Sequence, residues 1–338
     1  QLAGLPDVLE LPADRPRPQV ASGRGGQARF EIPVGVAEGI SRLAAARGVT
    51  PFMVVHAALA VVLARLSGSD DVAIGSPFAG RGQPALEPLV GMFVNTLVLR
   101  SRVRGSESFA GLLADVRDTD LAAFAHSDVP FEAVVEAVDP VRSEAFAPLT
   151  QVWLSVEEAR AAESVELPGG LELSPFDGAP ALAKVDLVFG VYTAESGSPW
   201  SGAVTYAADL FDESTVVGFA DRLVRVLSAV VSEPETVVGD IDLLGARERE
   251  QIAAWAGTRE LRDLSDVSMT LGDLVQRVDL SSVTSAAVVA GDRAMGYREL
   301  IERANVLARE LIRLGVGPEV AVAISVPRSL EMVIAAHA

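Results

Sequence analysis

Few side chains in this sequence have the type and setting to do chemistry. There is no cysteine, which removes disulfides, thiolate metal sites and cysteine nucleophiles together. The three histidines, His56, His126 and His337, are too scattered in sequence to suggest a metal cluster. Arg81 stands between Gly80 and Gly82 in a loop that follows an apolar strand, where a guanidinium can reach an acid on another element. Asn95 interrupts the apolar run Val94–Val103. A buried amide must be hydrogen-bonded, so Asn95 either pins a backbone turn or faces a cavity, while Thr96 points to the opposite face. His126 falls at a helix end, where capping and loop-shaping compete with proton transfer. Asp128 and Glu132 flank the start of a new helix at Pro130 and Phe131. Arg142 can bind a distant carboxylate or cap a loop. Lys184, the sole lysine, and Asp186 read as a local ion pair at a strand start. His56 reads as a core or helix-surface histidine, and His337 carries no role.

The elements that would position these residues alternate between strand and helix. Prolines 6, 12, 16 and 18 and glycines 23, 25 and 26 make residues 1–27 an extended connector. A strand is expected over Ala28–Pro33, then helices over Val36–Arg47 and Pro51–Leu66, with Thr50 as N-cap and Pro51 in the first turn. Strands follow at Asp71–Gly75 and Val94–Val103. A helix over Ser108–Ala125 places Phe109, Leu112, Leu113, Val116, Leu121 and Phe124 on one side. Pro130 opens a short helix through Val138. Strand-like runs occupy Leu149–Val156, Val165–Leu173, Val185–Tyr192 and Ala203–Tyr206, and Glu213–Val231 is helical. Residues 1–244 thus form one unit, and 245–268 read as a charged linker around a short helix, Ala246–Trp255. From 269 a second unit begins: a helix at Leu271–Val278, a strand at Ser285–Ala290, a turn at Gly291-Asp292, a helix at Tyr297–Leu314, a strand at Glu319–Val326 and an apolar helix from Ser329. The last helix stops within an apolar run, which suggests a truncated second unit. Both units read as α/β layers.

Composition bounds the function. At 338 residues and 49% apolar content the chain can bury two cores. A formal charge of −18 argues against a nucleic-acid partner, because phosphate binding needs clustered cations. The N-terminus lacks a signal peptide, and Pro51–Leu66 is too short and too interrupted to span a bilayer. A cytoplasmic chain without membrane contact is the expectation.

Several segments, in order, resemble nonribosomal peptide synthetases. Val90-Gly-Met-Phe-Val-Asn-Thr-Leu-Val-Leu-Arg100 resembles the condensation-domain motif centred on Phe-Val-Asn-Thr, and His126-Ser-Asp-Val-Pro-Phe-Glu132 the motif after it. Arg142-Ser-Glu-Ala-Phe-Ala-Pro-Leu149 is similar to a third, matching at Arg142, Pro148 and Leu149. Leu9-Glu-Leu-Pro-Ala-Asp-Arg-Pro-Arg-Pro18 resembles the connector between the two lobes of such domains, and Met295-Gly-Tyr-Arg-Glu-Leu300 the first motif of adenylation domains. The sequence has no His-His pair, so the family's His-His-x-x-x-Asp-Gly motif is not in it, and no Gly- and Ser/Thr-rich phosphate loop follows.

The resemblance implies a chloramphenicol-acetyltransferase-like second lobe, a mixed sheet covered by helices, then the start of an adenylation domain. It implies amide-bond formation between two thioesters carried on the phosphopantetheine arms of carrier proteins. No cofactor would bind this chain directly, ATP and Mg serving only a complete adenylation domain. Partners would be the first condensation lobe, the flanking carrier proteins and the rest of the adenylation domain. Arg81, Asn95 and Arg142 become candidates for the tunnel and lobe interface, with Arg81 paired to the Asp of the histidine motif. His126, Asp128, Pro130, Phe131 and Glu132 become structural members of their motif, and this chain alone is expected to be inactive. The competing reading is a condensation-like domain that recruits other proteins.

Overall fold

The computed structural model describes residues 1–82, 84–158, 165–167, 169, 171–173, 181–256 and 285–338. It divides into two compact units, Gln1–Arg249 and Glu250–Ala338.

The first unit is built on strands β1 (Gly25–Ile32), β2 (Asp71–Phe78), β3 (Asn95–Arg102), β4 (Val152–Glu158), β7 (Leu187–Thr193) and β8 (Trp200–Ala207). They form one mixed sheet ordered β1-β8-β7-β4-β2-β3. β4 lies parallel to both β2 and β7, while the other pairs are antiparallel. The expected single run over Val165–Leu173 is instead a small hairpin, β5 (Val165–Leu167) against β6 (Leu171–Leu173), turned at Gly169 with φ of 94°. A positive φ at glycine breaks the strand there without a steric cost.

One sheet face is buried under α1 (Val34–Arg47), α2 (Pro51–Ser67), α3 (Phe109–Phe124) and α5 (Glu213–Ser232). The Thr50 hydroxyl accepts from the Met53 N–H and Gly68 ends α2 in the left-handed region, so both helix ends are locally encoded. Every residue of α2 from Met53 to Ala64 is buried, which makes it the central helix. α3 starts at the Ser108 cap, whose Oγ accepts from Gly111 N–H at 3.2 Å. Its Leu121 is 53% exposed, against the expected core face, because the core-facing stripe runs through Phe109, Leu112, Leu113, Val116 and Asp120. No single helix among the described residues is long and apolar enough to cross a membrane; α1 and α2 meet at 107°.

The opposite sheet face carries a smaller cluster. Ala73, Val98 and Leu149 are covered by Phe131, Val134, Val135 and Val138 of α4 (Phe131–Val138) and by Leu2 and Leu5 of the N-terminal segment. The extended connector is laced to the sheet by Gln151, whose Oε1 accepts from Leu9 N–H at 2.9 Å and whose Nε2 donates to the carbonyls of Asp7 and Ala147. At the C-terminal end, α6 (Ala246–Trp255) begins against α5: Glu248 pairs with Arg222 and Arg249 with Asp242.

The second unit pairs β9 (Ala286–Ala290) with β10 (Arg293–Gly296) around a turn at Gly291, followed by α7 (Tyr297–Arg313) and α8 (Leu330–His337). Met295, Leu300, Ala304, Leu330 and Ile334 form its core. The expected strand over Glu319–Val326 is absent among the described residues. A strand exists only with a ladder partner, and here Val320, Val322, Ile324 and Val326 stay 44–50% exposed. The expected helix at Leu271–Val278 and the second half of the expected linker, residues 257–268, lie outside the described residues.

Candidate functional site

The segment between β2 and β3 is shaped by contacts within itself. β2 runs three residues beyond the expected end at Gly75, so the β2–β3 ladder closes on the Phe78–Asn95 pair. Gly80 has φ of 64°, and a Cβ there would lie 2.0 Å from the Phe93 carbonyl oxygen, so only glycine lets the two arms of the loop touch. Arg81 turns into its own loop. Its Nη1 donates to the carbonyls of Leu86, Glu87 (3.3 Å) and Leu89 (2.8 Å), and its guanidinium sits 4.3 Å from the Phe93 ring centroid. The same loop presents Leu89, Val90, Met92 and Val94 to solvent, Val90 without any shielding. Such a contiguous apolar display marks a surface meant to be covered.

Asn95 acts as a clasp. Its Nδ2 donates to the carbonyls of Ser127 (3.0 Å) and Val129 (2.7 Å), and its Oδ1 accepts from the N–H groups of Thr96 (2.9 Å) and Phe131 (3.1 Å). Of the two roles the sequence left open, the geometry supports the pinned turn. The turn it holds carries exposed His126, Asp128 and Pro130, and its backbone is tightened by bonds from His126 N–H to Ala123 O and from Val129 N–H to His126 O. Pro130 precedes α4, Phe131 plugs the smaller core, and exposed Glu132 lies in the first helical turn, where a carboxylate is favoured by the helix dipole.

Arg142 is exposed, and the cation that matters near its segment is one that the sequence reading left in the connector. Arg17 makes a two-point bridge to Asp186 at 2.8 and 2.5 Å, donates to the Ala145 carbonyl at 3.2 Å and stands 5.9 Å from the Phe146 ring. The hydrogen bond to Asp186 holds the Arg17 guanidinium protonated more firmly than usual, against the opposing effect of burial. This corrects the expected Lys184–Asp186 pair: Lys184 is exposed, whereas buried Asp186 takes the planar fork of an arginine 169 residues away. The signal was present, since an acid at the head of an apolar strand needs a counter-charge, but its donor could not be named from spacing. Arg17, Phe146, Lys184, Asp186 and Asp209 line a cavity of 310 Å³.

His56 is fully buried in α2, in contact with Asp120 and Ser101, and His337 bonds the Val333 carbonyl at 2.8 Å within α8. Arg81, Asn95 and the 126–132 segment therefore gather around the β2–β3 loop, and Arg142 is not tied to them by any hydrogen bond found among the described residues. No group of three or more His, Asp or Glu side chains able to hold a metal occurs among those residues.

Comparison with known proteins shows the family. The family model for the condensation domain matches residues 1–253, and that for AMP-binding enzymes matches 277–338. A probable non-canonical nonribosomal peptide synthetase, CymA of Salinispora arenicola, is 43% identical over 97% of this chain and 4% of its own length. The isonitrile lipopeptide synthase of Mycobacterium tuberculosis is 39% identical over 99% of the chain and 13% of its own length. The chain thus spans a small fraction of these relatives. Among solved structures, the X-domain from teicoplanin biosynthesis is 32% identical with a TM-score of 0.67, covering 72% of this chain and 55% of that one. A four-domain nonribosomal peptide synthetase bound to AMP and glycine superposes with a TM-score of 0.70 at 24% identity, over 93% of this chain and 24% of that one.

Proposed function

Because the chain belongs to the condensation-domain family and continues into the start of an AMP-binding domain, we propose that it supplies the second lobe of a peptide-bond-forming module. The carrying observation is the order of the two family matches, condensation over 1–253 and then AMP-binding over 277–338, as an elongation module requires. In that module the amine of one carrier-bound substrate attacks the thioester of another. The chemistry needs alignment of two long pantetheine arms, a group that handles the amine proton, and stabilisation of the oxyanion. The proton-handling histidine belongs to the His-His-x-x-x-Asp-Gly motif, which this sequence lacks. The lobe described here contributes a wall of the tunnel: the Arg81 loop, the Asn95 clasp and the turn at 126–132. The exposed apolar side chains of residues 89–94 support an interface with the other lobe.

Arg81 meets the Asp of the histidine motif in this reading, with Nη1 keeping its loop carbonyls while the remaining edge of the fork reaches the acid. Arg142 lies at the rim of the same interface. Carrier-borne phosphopantetheine is the partner group, and ATP with Mg serves the adenylation domain once complete. The protein works in the cytoplasm without nucleic acid or membrane. The test uses loaded carrier proteins and the intact module. Arg81→Ala should lower condensation by at least tenfold and Arg81→Lys should recover part of it. The 338-residue chain alone should turn over neither condensation nor ATP-dependent exchange. Condensation at the wild-type rate in intact Arg81→Ala would remove Arg81 from the site, and turnover by the chain alone would overturn the assignment of catalysis to the other lobe.

A second reading has one observation in its favour. The X-domain likeness reaches 32% identity, and one X-domain structure is a complex with OxyB. A parent domain that forms no amide yet retains a bound tailoring protein in the same assay would establish recruitment in place of catalysis.

A further inference from the structure

We propose that Ser101, His56 and Asp120 form an acyl-transfer triad opening onto the groove between β3 and α3 and suited to small activated esters or thioesters. His56 Nδ1 lies 3.0 Å from Asp120 Oδ2, and its Nε2 lies 3.4 Å from Ser101 Oγ. The three come from α2, α3 and β3 and meet on the helix-covered face of the sheet, where Leu99 and Val103 also point. His56 and Asp120 are wholly buried and Ser101 is 3% exposed.

Packing alone does not ask for this array. The buried stretch of α2, Met53 to Ala64, is otherwise a run of Val, Ala, Leu and Met, and an apolar trio would fill the same space without desolvating an acid and an imidazole. Asp120 Oδ1 is buried without a hydrogen-bond partner, so the cluster is not arranged for full satisfaction. Its geometry suits another end. Asp120 accepts a hydrogen bond from Nδ1–H, which leaves the Nε2 lone pair facing the serine hydroxyl, the relation a general base needs to its nucleophile.

Ser101 also lines a groove of 420 Å³, with Leu112, Val116 and Thr119 on the α3 wall and Arg102 and Arg104 on the β3 side. That volume lies at the small end of ligand sites and fits a short acyl chain. β3 is the last strand of its sheet among the described residues. The register pairs Ser101 with Val72, and Val103 N–H bonds the Asp70 carbonyl, which directs the Arg102 N–H away from β2. That N–H is a donor beside the serine for a developing oxyanion.

In the reaction, Ser101 Oγ attacks the acyl carbonyl carbon while its proton moves to His56 Nε2. The bond to sulfur or oxygen breaks, and His56 returns that proton to the leaving thiol or alcohol. Water then attacks the acyl-serine by the same route, releasing a carboxylic acid and restoring the hydroxyl.

The test treats the 338-residue chain with a fluorophosphonate probe and locates the adduct by peptide mass mapping. A single adduct on Ser101 is expected, absent in Ser101→Ala and forming about 100-fold more slowly in His56→Gln, as loss of a general base implies. Circular dichroism melts establish that each variant folds. If a variant does not, the wild-type chain is labelled in the presence of acetyl-pantetheine, which should protect Ser101 by occupying it. No adduct, an adduct on another side chain, labelling that is indifferent to folded His56→Gln, or no protection by the thioester would each show the array to be structural only and overturn the proposal.

Discussion

Asn95 uses both ends of its amide on the turn ahead of α4, which ties the start of β3 to the start of a helix 36 residues later. Removing that amide would leave two carbonyls without a donor and the Phe131 N–H without an acceptor. Asn95→Ala should therefore cost about 1–3 kcal/mol, read by denaturant unfolding. Amide exchange at residues 127–131 should accelerate in the same variant. Asn95→Asp should do no better, because it keeps the acceptor for Phe131 but sets a negative charge against the two carbonyls. Wild-type stability and protection in both variants would show that the turn is held by other contacts. Arg17 and Asp186 make the same point for charge: a buried acid is bonded by a planar, bidentate donor and not by the nearest cation in sequence.

Pairs of elements are joined by charge as well as by ladders. Asp71 on β2 receives Arg100 of β3 at 2.8 and 2.7 Å, with Arg102 at 3.2 Å, and Arg100 also holds the carbonyls of Gln1 and Ala3. The Arg100 hydrogen bonds hold the Asp71 carboxyl below its usual range, outweighing burial, which acts the other way. A carboxyl whose folded value is depressed contributes stability that is fully present above its unfolded value of about 4 and lost as pH falls through the folded value. Asp71→Asn should thus destabilise the chain by about 1.5–3 kcal/mol at pH 7. The gap from wild type should narrow when both are unfolded in urea below pH ~4. A gap that does not change with pH would mean that the carboxylate charge is not its source. The segment Glu319–Val326 illustrates the converse: alternation suited to a strand yields none when no neighbour supplies the ladder.

At the scale of the molecule, the two units have separate cores, one around α2 and one around Met295, Leu300 and Ile334. α6 begins as part of the first unit, since Glu248 and Arg249 are both paired to it, and the division falls between Arg249 and Glu250. We expect trypsin to cut first within residues 250–268, where Arg259 and Arg262 lie in charged, weakly patterned sequence. Two products of corresponding mass should then persist. First cleavage inside residues 28–240 would mean that the boundary is misplaced.

Local chemistry was legible in the sequence. The Thr50 cap, the largely apolar α2, the helix over Ser108–Ala125, the helix opened at Pro130 and the ordered condensation motifs all depend on neighbours within a few residues, and the fold class followed from them. Tertiary structure decided what depends on distant partners. It alone bonded Arg17 to Asp186, turned Arg81 into its own loop, closed Asn95 on the turn at 127–131, and brought His56, Ser101 and Asp120 together from three elements. The physical reason is range. Caps and hydrophobic periodicity are set by covalent spacing, whereas a buried polar side chain is satisfied by whichever donor or acceptor the packed core brings within about 3 Å.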